Sequence, residues 1–77
     1  MNVVMYTKSG CVNCDRAKQL LKSKGLEYFE CSVDIECNRL DLLSRYPEAK
    51  QLPQIIIDNQ RVGGLAGLQA ALKQVGL

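Results

Sequence analysis

The sequence predicts an α/β sandwich in which a mixed four-stranded sheet is flanked by three helices, in the order β-α-β-α-β-β-α. Short apolar runs alternate with segments whose apolar residues recur every three to four positions, a pattern typical of strands and helices respectively. The first strand, helix and strand fit within about 30 residues, which favours a parallel βαβ unit with a right-handed crossover. Because no repeat, linker or low-complexity segment is visible, we expect residues 1–77 to form a single domain.

A cysteine pair stands where the first predicted strand is followed by the first predicted helix. Residues 3–6 form a continuous apolar run of the kind found in the central strand of a sheet. Ala17, Leu20 and Leu21 then follow helical spacing, with polar residues on the other faces, and predict a helix over 12–24. The cysteines therefore fall at the start of a helix that follows a strand.

Two further strands are predicted in the middle of the chain. Phe29, Cys31 and Val33 alternate with more polar residues, which predicts a strand over 26–34 with one apolar face. The most apolar segment of the chain, residues 52–57, predicts another strand.

A helix over 35–46 separates these two strands. We expect Asp34 to cap its first turn and Leu40 and Leu43 to face the core, with Pro47 just beyond its end. Its apolar period is weaker than that of the first helix.

The last part of the chain predicts a hairpin and a third helix. Residues 58–60 form a turn, and 61–62 return as a short antiparallel strand that Gly63 and Gly64 interrupt. Leucines and a valine at three- to four-residue steps then predict a helix over 65–75 with an apolar face. These residues are Leu65, Leu68, Leu72 and Val75.

Composition restricts the class of function. Apolar residues make up 47% of the chain and charged residues 23%, proportions that are ordinary for a folded domain and argue against disorder. A net charge of +2 with no run of Lys and Arg argues against nucleic-acid binding. No apolar stretch approaches the ~20 residues of a membrane span, and the first residues lack the features of a signal peptide. We therefore expect a cytoplasmic protein without a membrane partner.

The chemistry must depend on sulfur, because the chain has four cysteines and no histidine. Cys11 and Cys14 are separated by two residues, and in a reducing compartment this spacing within a strand–helix–strand unit indicates a redox pair. A cysteine at a helix N-terminus lies at the positive end of the helix dipole, which favours thiolate over thiol. Lys8 could add a positive charge beside the same sulfur. We expect Cys11 to be the nucleophile and Cys14 its resolving partner.

A structural pair or half of a zinc site is the alternative for these two cysteines. Together with Cys31 and Cys37 they would supply four thiolates. However, Cys31 shares the apolar face of its predicted strand and is expected to be a small core residue, while Cys37 is expected to be an incidental thiol. We therefore expect no bound metal.

Five motifs in this sequence resemble the glutaredoxin family in their order and spacing. They are Tyr6-Thr7-Lys8, Cys11-x-x-Cys14, Arg16-Ala17-Lys18, Leu52-Pro53-Gln54 and Val62-Gly63-Gly64. The resemblance covers about Val3 to Leu77 and is greatest to short bacterial and phage glutaredoxins. It implies the thioredoxin fold, a cis peptide bond before Pro53, and thiol–disulfide exchange with glutathione as electron donor.

The resemblance also implies a glutathione site, and the chain departs from the family pattern within it. The implied contacts are Lys8, Val12, Asn13, Gln51, Leu52, Pro53, Gly64, Leu65 and Ala66. Val12 and Asn13 replace the usual Pro-Tyr, and Gln51 stands where Thr is common. Ala66 and Gly67 occupy the region where the family usually has an acidic residue that holds the amino group of glutathione.

The sequence therefore predicts a monomeric thiol–disulfide oxidoreductase that reduces protein disulfides and glutathione mixed disulfides, and whose implied protein substrates include ribonucleotide reductase. A second hypothesis is a redoxin that is recharged by thioredoxin reductase and donates electrons to ribonucleotide reductase. Two hypotheses from other classes are an iron–sulfur carrier, in which two subunits share a cluster through Cys11 and glutathione, and a zinc-binding module.

Overall fold

The computed structural model describes residues 1–77, and its seven elements follow the predicted order. They are β1 (Val3–Thr7), α1 (Val12–Ser23), β2 (Phe29–Ser32), α2 (Glu36–Arg45), β3 (Gln54–Ile57), β4 (Gln60–Gly63) and α3 (Leu65–Gln74). The predicted α/β fold, a mixed four-stranded sheet with three helices, is confirmed. None of the helices has the length and apolar character that crossing a membrane requires.

The sheet has the strand order β2-β1-β3-β4, with β1 in a central position. β1 pairs in parallel with β2, as the α1 crossover requires, and antiparallel with β3. β3 and β4 form a hairpin whose turn residues Asp58 and Asn59 have φ angles of 50° and 69°. Positive φ at both central positions gives a turn whose twist matches that of the two strands.

Each face of the sheet has its own apolar cluster. α1 and α3 cover one face, where the buried residues are Val3, Met5, Ala17, Leu21, Ile55, Leu68 and Leu72. α2 covers the other face, where Leu42 packs against Tyr6 and Ile56. Because successive residues of a strand point to opposite faces, the continuous apolar runs of β1 and β3 supply both clusters.

β2 is shorter than the predicted strand, and its side chains are exposed or only partly buried. Phe29 was expected on a buried face, but 70% of its surface is exposed. The reason is that β2 is an edge strand, while Leu42 of α2 packs over β1 and β3. Cys31 and Val33 do pack against this second cluster, as expected.

The predicted inner face of α2 is wrong. Leu40 is 54% exposed and Leu43 is also exposed, whereas Leu42 is 5% exposed and carries the contact with the sheet. Residues 40 and 43 share a side of the helix, and the path of α2 over β1 and β3 turns that side to solvent.

The predicted start of α2 and the predicted end of α3 also need correction. Asp34 does not cap α2, because its carboxylate is bonded to Ser9. The N-cap residue is Ile35, whose side chain has no polar atom with which to cap the helix. At the other end of the chain, Val75 follows the last residue of α3 and is exposed, so it does not contribute to the core.

Candidate active site

The junction of β1 and α1 places the cysteine pair at a helix N-terminus. Cys11 is the N-cap residue of α1, with extended φ and ψ of −93° and 106°. The backbone N–H of Cys14 donates to the sulfur of Cys11 over 3.1 Å. An N–H directed at sulfur in the first turn of a helix stabilises a thiolate, which is the arrangement expected from the sequence.

The two cysteines form a disulfide bond with their Cα atoms 5.2 Å apart, so the pair can cycle between dithiol and disulfide. They differ in accessibility. Cys14 is fully buried, whereas Cys11 keeps 9% of its surface exposed. Cys11 is therefore the residue of the pair that an incoming disulfide can reach.

A loop from the other side of the sheet completes the surroundings of Cys11. The peptide bond between Leu52 and Pro53 is cis, as the family resemblance implies. The carbonyl oxygen of Leu52 lies 3.7 Å from the sulfur of Cys11. The segment before β3 is therefore in direct contact with the redox pair.

A groove of about 290 Å³ adjoins this contact. Its lining combines the residue between the cysteines, the cis-proline loop and the start of α3: Asn13, Gln51, Leu52, Pro53, Gln54, Gly64, Leu65 and Ala66. Seven of the nine residues expected to contact substrate line this groove. The other two, Lys8 and Val12, are exposed residues outside the lining.

Gln54 lines the groove but was absent from the expected contacts. It is 6% exposed, and its side-chain amide joins the carbonyl oxygen of Gln51 to the guanidinium of Arg61. The sequence offered one indication of this role, since a glutamine directly after the proline would be a buried polar residue at the start of an apolar strand.

The first turn of α3 forms the far wall of the groove without any acidic side chain. Gly64 is its N-cap residue and provides no side-chain cap. A Cβ atom at residue 67 would overlap the backbone carbonyl of Val62, so the helix approaches β4 closely only because Gly67 has no side chain. A carboxylate at position 67 is incompatible with this packing.

The loop that leads into Cys11 is tied to the end of β2. The backbone N–H and the hydroxyl of Ser9 both donate to the carboxylate of Asp34. These two hydrogen bonds, with a smaller contribution from the nearby charge of Lys8, hold the pKa of Asp34 below its usual range. The loop thus has a defined attachment although its residues are exposed.

The remaining cysteines lie away from the groove. Cys31 is half-buried beside Tyr6 and Leu42, and burial, with a smaller effect of the Asp41 and Glu30 carboxylates, raises the pKa of its thiol. Cys37 is exposed in the first turn of α2. No group of three or more His, Cys, Asp or Glu side chains is arranged to hold a metal ion.

Comparison with known proteins identifies the family. The sequence profile named Glutaredoxin matches residues 3–62. The chain belongs to the glutaredoxin family. It is 38% identical over 76 residues to glutaredoxin 3 of Escherichia coli strain K12, a match that covers 99% of this chain and 92% of the relative.

Solved glutaredoxin structures share its fold. The solution structure of the Brucella melitensis glutaredoxin is 36% identical, with a TM-score of 0.72, and the match covers 99% of this chain and 82% of the other. A thioredoxin-like protein of known crystal structure is 28% identical, with a TM-score of 0.81 and coverage of 95% and 97%. With its redox pair at the N-terminus of α1, this glutaredoxin is a thiol–disulfide oxidoreductase.

Proposed function

We propose that Cys11 is the nucleophile and Cys14 the resolving thiol of a glutathione-dependent oxidoreductase. The observation that carries the proposal is the contrast within the pair: the sulfur of Cys11 accepts the N–H of Cys14 and Cys11 keeps some exposed surface, while Cys14 is fully buried. Attack on an external disulfide requires both access and thiolate character, and only Cys11 combines them.

The proposed reaction is a sequence of two exchanges. The Cys11 thiolate attacks one sulfur of a substrate disulfide, the S–S bond breaks, and the departing thiolate takes a proton from solvent. The Cys14 thiol then loses its proton and attacks the Cys11 sulfur, the bond between Cys11 and the substrate breaks, and the departing thiolate takes up a proton, which leaves the Cys11–Cys14 disulfide. Two glutathione thiols restore the dithiol and become glutathione disulfide.

A stabilised Cys11 thiolate matters most in the second exchange. An unperturbed thiol is about 3% ionised at pH 7, and complete ionisation would raise the thiolate population by roughly 30-fold. Nucleophilicity falls with basicity at a Brønsted slope of about 0.4–0.5, so the gain in attack rate is only a few-fold. The same stabilisation makes Cys11 a good leaving group when Cys14 or glutathione attacks its mixed disulfide.

The groove supports glutathione as the small thiol. The Leu52 carbonyl beside Cys11 and the backbone N–H groups at the start of α3 offer main-chain partners to a tripeptide. We propose that Asn13, Gln51 and Pro53 line its binding site. Lys8 and Val12 contact the substrate from outside the groove.

A second candidate donor is thioredoxin reductase. No charged residue lines the groove, so the amino group of glutathione would lack a carboxylate partner. A charge-assisted hydrogen bond contributes about 1.5–3 kcal/mol, and its loss would weaken glutathione binding by more than tenfold. In this alternative the protein passes electrons from thioredoxin reductase to ribonucleotide reductase.

One experiment separates the two donors. The oxidised protein is supplied with NADPH and either glutathione with glutathione reductase or thioredoxin reductase alone, and recovery of the dithiol is measured. We expect recovery with the glutathione system. If the dithiol recovered with thioredoxin reductase but not with the glutathione system, thioredoxin reductase would be the electron donor.

Two variants test the cysteine roles in the same assay. Cys11→Ser is expected to abolish turnover, because Cys14 is fully buried and cannot meet an external disulfide in its place. Cys14→Ser is expected to keep the reduction of glutathione mixed disulfides, since glutathione itself can resolve Cys11. Full activity of Cys11→Ser would refute the assignment.

We further propose that residues 1–77 act as a single monomeric domain in the cytoplasm. The proposal rests on the two apolar clusters that share one sheet and on the bacterial glutaredoxins to which the chain is similar. Sedimentation of the purified protein and fractionation of the producing cells test it. A dimer in sedimentation would contradict the monomer.

A further inference from the structure

We propose that Arg61 is a positioning residue for disulfide exchange, which acts through Gln54 to hold the loop that forms the wall of the groove beside Cys11. Arg61 belongs to β4, on the opposite edge of the sheet from β2. The proposal rests on attack by Cys11, as proposed above, and not on glutathione as the donor.

The loop has little internal structure of its own. Residues 46–53 connect α2 to β3 without a helix or strand. Within this segment one backbone hydrogen bond forms, from the N–H of Ala49 to the carbonyl oxygen of Tyr46. The segment nevertheless has to present the Leu52 carbonyl 3.7 Å from the Cys11 sulfur. Its position must therefore be fixed by side-chain contacts.

Gln54 provides one of these contacts from the first residue of β3. Its amide nitrogen donates to the carbonyl oxygen of Gln51 over 2.8 Å, and its amide oxygen faces a guanidinium nitrogen of Arg61 at 3.5 Å. Because a guanidinium has only donors, Arg61 fixes which end of the amide faces it. The amide nitrogen is then left facing Gln51. Since the Gln51 carbonyl oxygen can only accept, both contacts favour the same orientation of the amide, and Arg61 stabilises the hydrogen bond that anchors the loop.

Arg61 also contacts the beginning of the same segment. Its second terminal nitrogen is 3.1 Å from the carboxylate of Glu48, and its guanidinium lies over the ring of Tyr46, 5.5 Å from the ring centre. The planar guanidinium makes these contacts and the bond to Gln54 from separate nitrogens, whereas a lysine would have to make all of them from one nitrogen. Arg61 therefore clamps both ends of the loop.

The expected consequence depends on the size of the substrate. A disulfide large enough to enter the groove contacts Gln51, Leu52 and Gln54, so its rate of reaction depends on where the loop lies. A small disulfide needs only access to the Cys11 sulfur. Release of the clamp should slow the first kind of substrate and leave the second unaffected.

The test compares two disulfides in single-turnover reactions with the reduced, full-length protein. One is a hexapeptide that carries a fluorogenic mixed disulfide, and the other is bis(2-hydroxyethyl) disulfide. For Arg61→Met, which keeps the apolar stem but removes the guanidinium, we expect the rate constant to fall roughly three- to tenfold with the peptide, the equivalent of one hydrogen bond. We expect no change with the small disulfide and an intermediate effect for Arg61→Lys.

Arg45→Met is the matched control, because it removes an arginine whose ion pair with Asp41 is exposed on α2. It should leave both rate constants unchanged. An equal fall with both substrates, or no fall with the peptide, would overturn the role of Arg61. Reaction of a Cys11→Ser protein would instead refute the nucleophile, so the two failures can be distinguished.

Discussion

The carboxylate of Asp34 accepts two hydrogen bonds from Ser9, one from its backbone N–H at 2.9 Å and one from its hydroxyl at 2.6 Å. This pair of bonds connects the residues after β2 to the loop that enters the redox site. Next to it, the N–H of Val33 donates to the carbonyl oxygen of Thr7 at 2.7 Å and extends the pairing of β1 with β2. The cysteine loop is therefore held by the edge of the sheet as well as by α1.

The first prediction concerns this attachment. Asp34→Ala should remove the protection of the Ser9 amide against hydrogen exchange, while Asp34→Asn, which keeps an acceptor, should retain part of it. Since the folded protein lowers the pKa of Asp34, the protection should be complete above the usual carboxyl range and be lost as pH falls through the folded-state pKa. Unchanged protection of Ser9 in the Asp34→Ala variant would contradict this role.

The second prediction concerns Gly67. Glycine to alanine inside a helix usually stabilises a protein by about 0.5–1 kcal/mol. Here the added Cβ would overlap the Val62 carbonyl, so Gly67→Ala should destabilise the fold by roughly 1–3 kcal/mol, the usual cost of overpacking. Urea unfolding measures the change, with Ala66→Gly as the control that loses helix propensity without a clash. A more stable Gly67→Ala protein would show that α3 can move away from β4.

The third prediction concerns Glu30. Its carboxylate bonds the ammonium of Lys18 at 2.6 Å and the buried hydroxyl of Thr7 at 2.7 Å. Glu30→Ala should cost about 1–3 kcal/mol, largely because the Thr7 hydroxyl loses its partner. The paired Thr7→Val and Glu30→Ala double variant should recover part of this loss. Equal unfolding free energies of wild type and Glu30→Ala would refute the contribution.

The same group gives the stability a dependence on acid. Lys18 first, and Thr7 second, lower the pKa of Glu30 in the folded protein. Its contribution is therefore present at neutral pH and is lost as pH falls through the folded-state pKa. Glu30→Gln should flatten this part of the curve of unfolding free energy against pH.

The fourth prediction concerns Tyr6 at high pH. Burial, followed by the hydrogen bond to Asp41, raises the pKa of Tyr6 from 10.0 to about 12. The unfolded chain releases this proton first, so the contribution is complete below pH 10 and is lost as pH rises towards 12. Between pH 8 and 11 the loss should reach about 1.4 kcal/mol, and Tyr6→Phe should not show it. Urea unfolding at the two pH values measures the difference, and an equal loss in both proteins would contradict the raised pKa.

Helix α2 shows most clearly what the sequence could predict and what it could not. Its period placed a helix over 35–46, and the structure has one at Glu36–Arg45. The period did not identify the buried side, because Leu40, Leu42 and Leu43 are equally apolar. Only the crossing of α2 over β1 and β3 selects Leu42. The same limitation applied to Phe29, whose exposure follows from the position of β2 at the sheet edge.

The sequence by itself determined the order of elements and the redox chemistry, because backbone periodicity and the spacing of Cys11 and Cys14 are local properties. The tertiary structure decided what surrounds them. Ser9 meets Asp34 across 25 residues, and Cys11 meets Leu52 across 41. Arg61 contacts the loop between α2 and β3 through Glu48 and Gln54. Such partners become neighbours only when the sheet assembles, and no local pattern records which polar side chains that assembly brings together.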